Sequence, residues 1–134
     1  LGSELTQENK SNIRYEWVGG LSKLETMTIL IDSHVLLITS QHEGAGRVVG
    51  EAIQLGVPII STNNLGVKGI LGDDYEGYYP VGDAKALSDI LTKAEEDKEF
   101  LAQLNVHCQN RSSLFDIEEE KKNWEKLIND FSII

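Results

Sequence analysis

Cysteine, proline and basic side chains are all scarce in this sequence, and each scarcity removes a class of protein. A single cysteine, Cys108, leaves no partner for an internal disulfide and too few thiolates for a cysteine-rich metal site. Such sparing use fits a reducing compartment. Two prolines and 12 glycines exclude collagen-like and proline-rich repeats. Lys and Arg number 12 against 22 Asp and Glu, a net charge of -10. Proteins that bind polyanions draw most non-specific affinity from Lys and Arg, so nucleic acid and anionic membrane are poor partners. No apolar run approaches the roughly 20 residues of a membrane span, and no basic stretch followed by an apolar one opens the chain. The expectation is a soluble, cytoplasmic protein with no membrane span.

What is present suffices for a core. Apolar residues make up 40% and charged residues 25% of the 134 positions, which is globular composition. A chain of this length forms one domain and buries about two thirds of the surface its unfolded form exposes. Leu1-Gly2-Ser3 reads as the remnant of a protease-site cloning scar, which leaves residues 4–134 as a single domain.

Strand and helix patterns alternate along that domain. Ile13 to Val18 alternates and is rich in β formers, and Gly19-Gly20 ends it, so it reads as a short strand running into a turn. Ser22 with Glu25 three residues on has capping-box spacing and starts a helix with Leu24, Met27, Thr28, Leu30 and Ile31 on its inner face. His34 to Thr39 holds the continuous apolar run Val35-Leu36-Leu37-Ile38, which suits a central parallel strand covered on both faces. A polar, glycine-rich stretch from Ser40 to Gly46 leads into a helix carrying Val48, Val49, Ala52 and Ile53, which Gly56 caps.

Val57 to Ser61 is another buried strand, Asn63 to Asp74 a loop, and Gly77 to Val81 one more extended segment. Asp83 caps a helix with Ala84, Leu87, Ile90 and Leu91 inward. Phe100, Leu101, Leu104 and Val106 mark the next, and Trp124, Leu127, Ile128 and Phe131 stripe the last. Alternation of this kind predicts an α/β fold, a Rossmann-like doubly wound parallel sheet with extra C-terminal helices. Ligands in such folds bind beyond the carboxyl ends of strands, so the loops after Gly19, Thr39 and Ser61 are the places to look.

The stretch Glu43-Gly44-Ala45-Gly46-Arg47-Val48-Val49-Gly50-Glu51 sets one glutamate in a loop and another inside the following helix. Gly44 and Gly46 allow a ligand close to the backbone, and the positive helix start suits a diphosphate. Glu43 at the mouth accepts hydrogen bonds from sugar hydroxyls, and Glu51 two turns deeper reaches another part of the ligand, such as a ribose diol. The plain alternative is that Glu43 caps the helix and Glu51 is a solvated helix side chain.

This spacing, with Ala52, Gly56-Val57-Pro58, Ser61, Pro80-Val81-Gly82-Asp83 and Ala86-Leu87, resembles the C-terminal half of the GT-B fold in glycosyltransferase family 4, from about Ile13 onward. Within that family the segment from Leu71 to Asp83, with Phe100-Leu101-Ala102, Cys108, Arg111 and Leu114-Phe115, is most similar to the selenosugar synthases.

The resemblance implies a donor-binding domain that needs its own N-terminal domain for activity. It implies that catalytic Glu43 meets the donor sugar, Glu51 the ribose hydroxyls, and Gly44, Ala45, Gly46, Arg47 and Val48 the sugar and diphosphate, with Gly20 and Leu21 beside the base. It further implies a UDP-sugar donor, UDP-N-acetylglucosamine, and selenophosphate as acceptor. An oxygen acceptor is the generic alternative, and a non-catalytic α/β interaction domain or a sugar-nucleotide epimerase are the others. Ala45-Gly46-Arg47 departs from the Gly-Ala-Asn of that subfamily, so Arg47 is either a diphosphate grip or a solvated side chain. No Asp-x-Asp triplet occurs, so no metal ligands and no cofactor are expected. Asp73-Asp74 reads as turn chemistry, Cys108 as packing, and His34, His42 and His107 as unrelated histidines on three elements.

Overall fold

The computed structural model describes residues 15–42 and 46–131. The suggested scar at Leu1-Gly2-Ser3, the start of the first expected strand at Ile13, and Glu43, Gly44 and Ala45 lie outside the described residues.

The elements run α1 (Lys23–Ile31), β1 (Leu36–Ile38), α2 (Arg47–Leu55), β2 (Ile59–Thr62), α3 (Leu65–Leu71), β3 (Tyr78–Tyr79), α4 (Ala84–Glu96) and α5 (Lys98–Asn110). A 3-10 turn (Ser112–Phe115) and α6 (Ile117–Phe131) follow. The three strands form one parallel sheet in the order β1-β2-β3. Leu36, Leu37 and Ile38 lie opposite Ile59, Ile60 and Ser61, and Ser61 and Thr62 lie opposite Tyr78 and Tyr79. The α/β fold with a parallel sheet is the one the alternation predicted.

β2 is the strand covered on both faces. All four of its residues are buried, and successive side chains point to opposite faces, so layers of helix must close over each. Ile53, Val49 and Ala52 of α2, with Phe100, Leu104 and Cys108 of α5, complete the core around Ile59 and Ile60. Gly56 ends α2 at φ 72°, the left-handed C-cap that lets the chain turn straight into β2.

Four expectations are corrected. The apolar run at β1 is at the edge of the described ladder, with Leu37 39% exposed, because β2 carries partners on both sides and β1 on one. Among the described residues of the expected first strand, Tyr15 to Val18 forms no strand. The expected loop from Asn63 contains α3, started by Asn64, whose side chain accepts from Val67 N at 3.0 Å, and held by buried Val67, Ile70 and Leu71. The apolar stripes of α1, α5 and α6 are only partly used: Leu30 is buried but Leu24 is 76% exposed, Val106 is exposed, and α6 buries nothing, Trp124 included. A helical period places residues on one face, but burial needs a neighbour there.

Asn64 also donates from Nδ2 to Thr62 Oγ1 at 3.1 Å, which ties the start of α3 to the end of β2. Asn64→Ala removes a cap and a buried hydrogen bond together. The expected loss is about 1.5 kcal/mol, read as a lowered midpoint in urea with unchanged m-value.

Candidate functional site

Two helix starts make the site. Ser22 accepts from Glu25 N at 3.3 Å while the Glu25 carboxylate accepts from Ser22 N at 2.8 Å, the reciprocal capping box that the sequence signalled. These bonds to Ser22 hold the Glu25 carboxyl below its ordinary pKa. The box places Lys23 at the first helical position and Thr26 three residues later on the same face.

α2 starts differently. Its N-cap is Gly46, extended at φ -63° and ψ 127°, and no side chain caps it. Gly46 O accepts from Val49 N at 2.9 Å. Arg47 is the first helical residue, and Glu51, four positions on, lies on the same face.

α1 packs against α2, and their first turns enclose an open pocket of about 310 Å³ lined by Leu21, Lys23, Thr26, Arg47, Val48 and Glu51. Leu21 and Val48 are half-buried and give it apolar walls; Glu51 is half-buried, while Lys23 and Arg47 are exposed. Thr26 Oγ1 donates to Ser22 O at 3.0 Å and keeps acceptor capacity. Among the described residues the ion pairs are Lys68–Asp73, Lys85–Asp89 and Lys122–Glu119, and none of them involves Lys23, Arg47 or Glu51.

Of the residues expected at a site, Leu21, Arg47, Val48 and Glu51 are brought together here. Gly20 precedes Leu21 with open space where a side chain would stand, and Gly46 caps α2 beside the pocket. Glu43, Gly44 and Ala45 are the residues outside the description. Lys23 and Thr26 were missed. The capping box gave the signal, because it fixes which residues fall in the first turn of α1, directly after the Gly19-Gly20 turn.

Two other hollows fit poorly. Beyond the carboxyl ends of the strands, Thr39, Thr62, Tyr79, Gly82, Asp83, Ala84 and Leu87 line about 200 Å³. Its polar groups are already used: Tyr79 donates to Ile38 O at 3.1 Å, Thr62 to Ser40 O, and Asp83 accepts from Ala86 N at 2.9 Å. The largest, about 970 Å³ between the 3-10 turn and α6, is lined by Asp116, Glu119 and Glu120 with no cation, which opposes an anionic ligand.

The remaining candidates have structural places. Cys108 is fully buried with Sγ 3.5 Å from the Tyr75 hydroxyl, and burial pushes its thiol pKa up, so it packs as expected. His107 Nε2 lies 2.6 Å from Leu71 O, while His34 and His42 sit before β1 and after it. Asp73-Asp74 is a turn. Among the described residues no group of three or more His, Cys, Asp or Glu could hold a metal ion.

The family model described as Glycosyl transferases group 1 matches residues 3–111, which takes in every element from α1 to α5 and leaves the 3-10 turn and α6 as C-terminal additions. No curated protein matches this chain. Among solved structures it is similar to Anabaena Alr3699/HepE, crystallised in complex with UDP, with a TM-score of 0.64 at 23% identity. The likeness covers 75% of this chain and 29% of that one, so the chain spans less than a third of that protein. At this identity the likeness establishes the fold.

Proposed function

From the premise that the chain belongs to the glycosyl transferases group 1 family, we propose that it is the donor-binding domain of an enzyme transferring a sugar from a UDP-sugar. The observation that carries this reading is the pocket at the starts of α1 and α2, which gathers Leu21, Arg47, Val48 and Glu51 from two separate stretches of chain. The solved relative binds UDP, which supports the choice of base.

In this reading Glu51, which makes no ion pair among the described residues, accepts hydrogen bonds from the two ribose hydroxyls. The base lies against Leu21, next to Gly20. The uncapped start of α2, from Gly46 to Val48, faces the diphosphate, where its amides and dipole stabilise the negative charge that grows as the sugar departs. Glu43, with Gly44 and Ala45, approaches the sugar itself.

The acceptor is proposed to be selenophosphate, with a carbon-selenium bond formed and UDP released, on the likeness of the segment from Leu71 to Asp83. An oxygen acceptor is the second reading. The acceptor side is assigned to an N-terminal domain preceding this one, so residues 4–134 bind donor and catalyse nothing alone. Neither a metal ion nor a cofactor has a role in this proposal, and the enzyme works in the cytoplasm.

A ¹H-¹⁵N titration with UDP and UDP-N-acetylglucosamine tests the donor site. Shifts are expected at Gly20, Leu21 and from Gly46 to Glu51, and Glu51→Ala is expected to weaken UDP about tenfold, the worth of hydrogen bonds to a charged group. Shifts confined to the hollow lined by Thr39, Thr62 and Tyr79 would sink the assignment.

A further inference from the structure

We infer that Phe115, in the 3-10 turn that packs on α2, is a positioning residue for the donor site: its ring, seated on Gly50, sets where α2 stands and so where Glu51 meets the ligand. The inference rests on reading the pocket at the starts of α1 and α2 as the donor site. It gives that site a determinant from beyond residues 3–111, the stretch that the family model matches.

Gly50 lies inside α2, where glycine is a poor helix former. A close neighbour accounts for it. A Cβ at this position would stand 2.6 Å from Phe115 Cε1, 2.9 Å from Cδ1 and 3.2 Å from Cζ. Carbon atoms in contact ordinarily keep about 3.5–4.0 Å, so any side chain at position 50 forces helix and ring apart by about 1 Å. Gly50 is buried, and Phe115 is half-buried and packed against the core, so the ring fills the space that a Cβ would need.

The contact is braced on both sides. One turn on from Gly50, Gln54 Nε2 donates to Phe115 O at 3.3 Å. Leu114 N donates to Arg111 O at 3.1 Å and Asp116 N to Ser113 O at 3.2 Å, which hold the turn that carries the ring. On its other faces α2 buries Val49, Ala52 and Ile53 in the core and meets α1 beside Val48 and Glu51. A helix gripped on several faces shifts as one body, because packed interiors transmit strain rather than absorb it. Glu51 directly follows Gly50 and Arg47 stands three residues before it, so a displacement at Gly50 reaches both pocket residues. Hydrogen bonds of about 2.7–3.2 Å do not survive an added 1 Å.

The test is a ¹H-¹⁵N titration of this chain with UDP in wild type, Gly50→Ala, Phe115→Ala and the double variant, with Tm measured on the same samples. Gly50→Ala is expected to raise Kd about fivefold, part of the tenfold expected for Glu51→Ala, and to move the Arg47 to Glu51 amides before ligand is added. Phe115→Ala, which removes the contact without adding an atom, should raise Kd about twofold and move the same amides. In the double variant the methyl enters the space that the ring left, and Kd should return to within about twofold of wild type. Added to Glu51→Ala, Gly50→Ala should weaken UDP no further, because the effect runs through Glu51.

A merely structural contact would lower Tm and leave Kd where it was. That result in Gly50→Ala and Phe115→Ala, or a double variant as weak as Gly50→Ala, overturns the positioning role while the donor-site reading stands. If wild type shows no UDP shifts in this pocket, both readings fall together.

Discussion

Gly77→Ala is expected to cost about 3 kcal/mol of stability and to lower Tm by about 10 °C, with most of the loss arising from one carbon atom. A Cβ on Gly77 would stand 2.6 Å from Ile59 O and 2.8 Å from Tyr75 Cζ, closer still to Tyr75 Cε1. Ile59 belongs to the central strand and cannot retreat, and the Tyr75 ring is buried against it. Gly77 O accepts from Ser61 N at 3.0 Å, so moving Gly77 away breaks the pairing of β2 with β3. Thermal unfolding followed by circular dichroism measures the effect. A Tm within about 2 °C of wild type would mean that the sheet yields here and that the close approach is not required.

Tyr75→Phe is expected to cost about 2.5 kcal/mol, although it removes a single oxygen. β3 is two residues long and begins too late to pair with Ile59. The Tyr75 hydroxyl stands in for the missing strand: it accepts from Ile59 N at 3.3 Å and donates to Ile59 O. Removing it leaves a buried donor and a buried acceptor unpaired, each worth about 1–3 kcal/mol with partial relief by rearrangement. Burial pushes the hydroxyl pKa upward, so the group stays protonated and its donor role holds across the pH range in which the protein is folded. Tyr78→Phe is the control. Its hydroxyl donates to Gly72 O at 2.8 Å in a half-buried position, and its loss should cost about 1 kcal/mol. Equal costs for the two variants would remove the idea that Tyr75 completes the ladder.

Much of the candidate pocket was legible in advance because its parts are local. Glu51 and Arg47 share a face through helical spacing, and Gly56 marks the end of that helix through its left-handed backbone. Ser22 and Glu25 announced α1 three residues apart, which also fixed Lys23 and Thr26 in its first turn. Their meeting was not legible. It depends on α1 docking on α2 across the whole of β1, a contact that no short pattern records. Glu43, Gly44 and Ala45 remain sequence assignments resting on their place before α2.

The errors over burial share one cause. Leu24, Val106 and Trp124 fit helical stripes as well as Leu30 and Leu104 do, yet the first three face solvent and the last two face the core. Likewise the apolar run at β1 and the one at β2 look alike, and only sheet order makes one an edge and the other a centre.

By itself the sequence determined the starts of α1 and α4, the stop of α2, the buried character of β2, the acidic charge and the placing of Arg47 and Glu51 on one face. Each is a property of side chains within a few positions of one another, where backbone geometry alone sets the distance. The tertiary structure decided which strand is central, which apolar faces find a partner, how the Tyr75 hydroxyl closes the sheet at Ile59, and that Lys23 and Arg47 line one pocket. Those outcomes join residues 16 to 24 positions apart, or whole elements, and such contacts form only once packing of the core has chosen among many arrangements the local pattern allows.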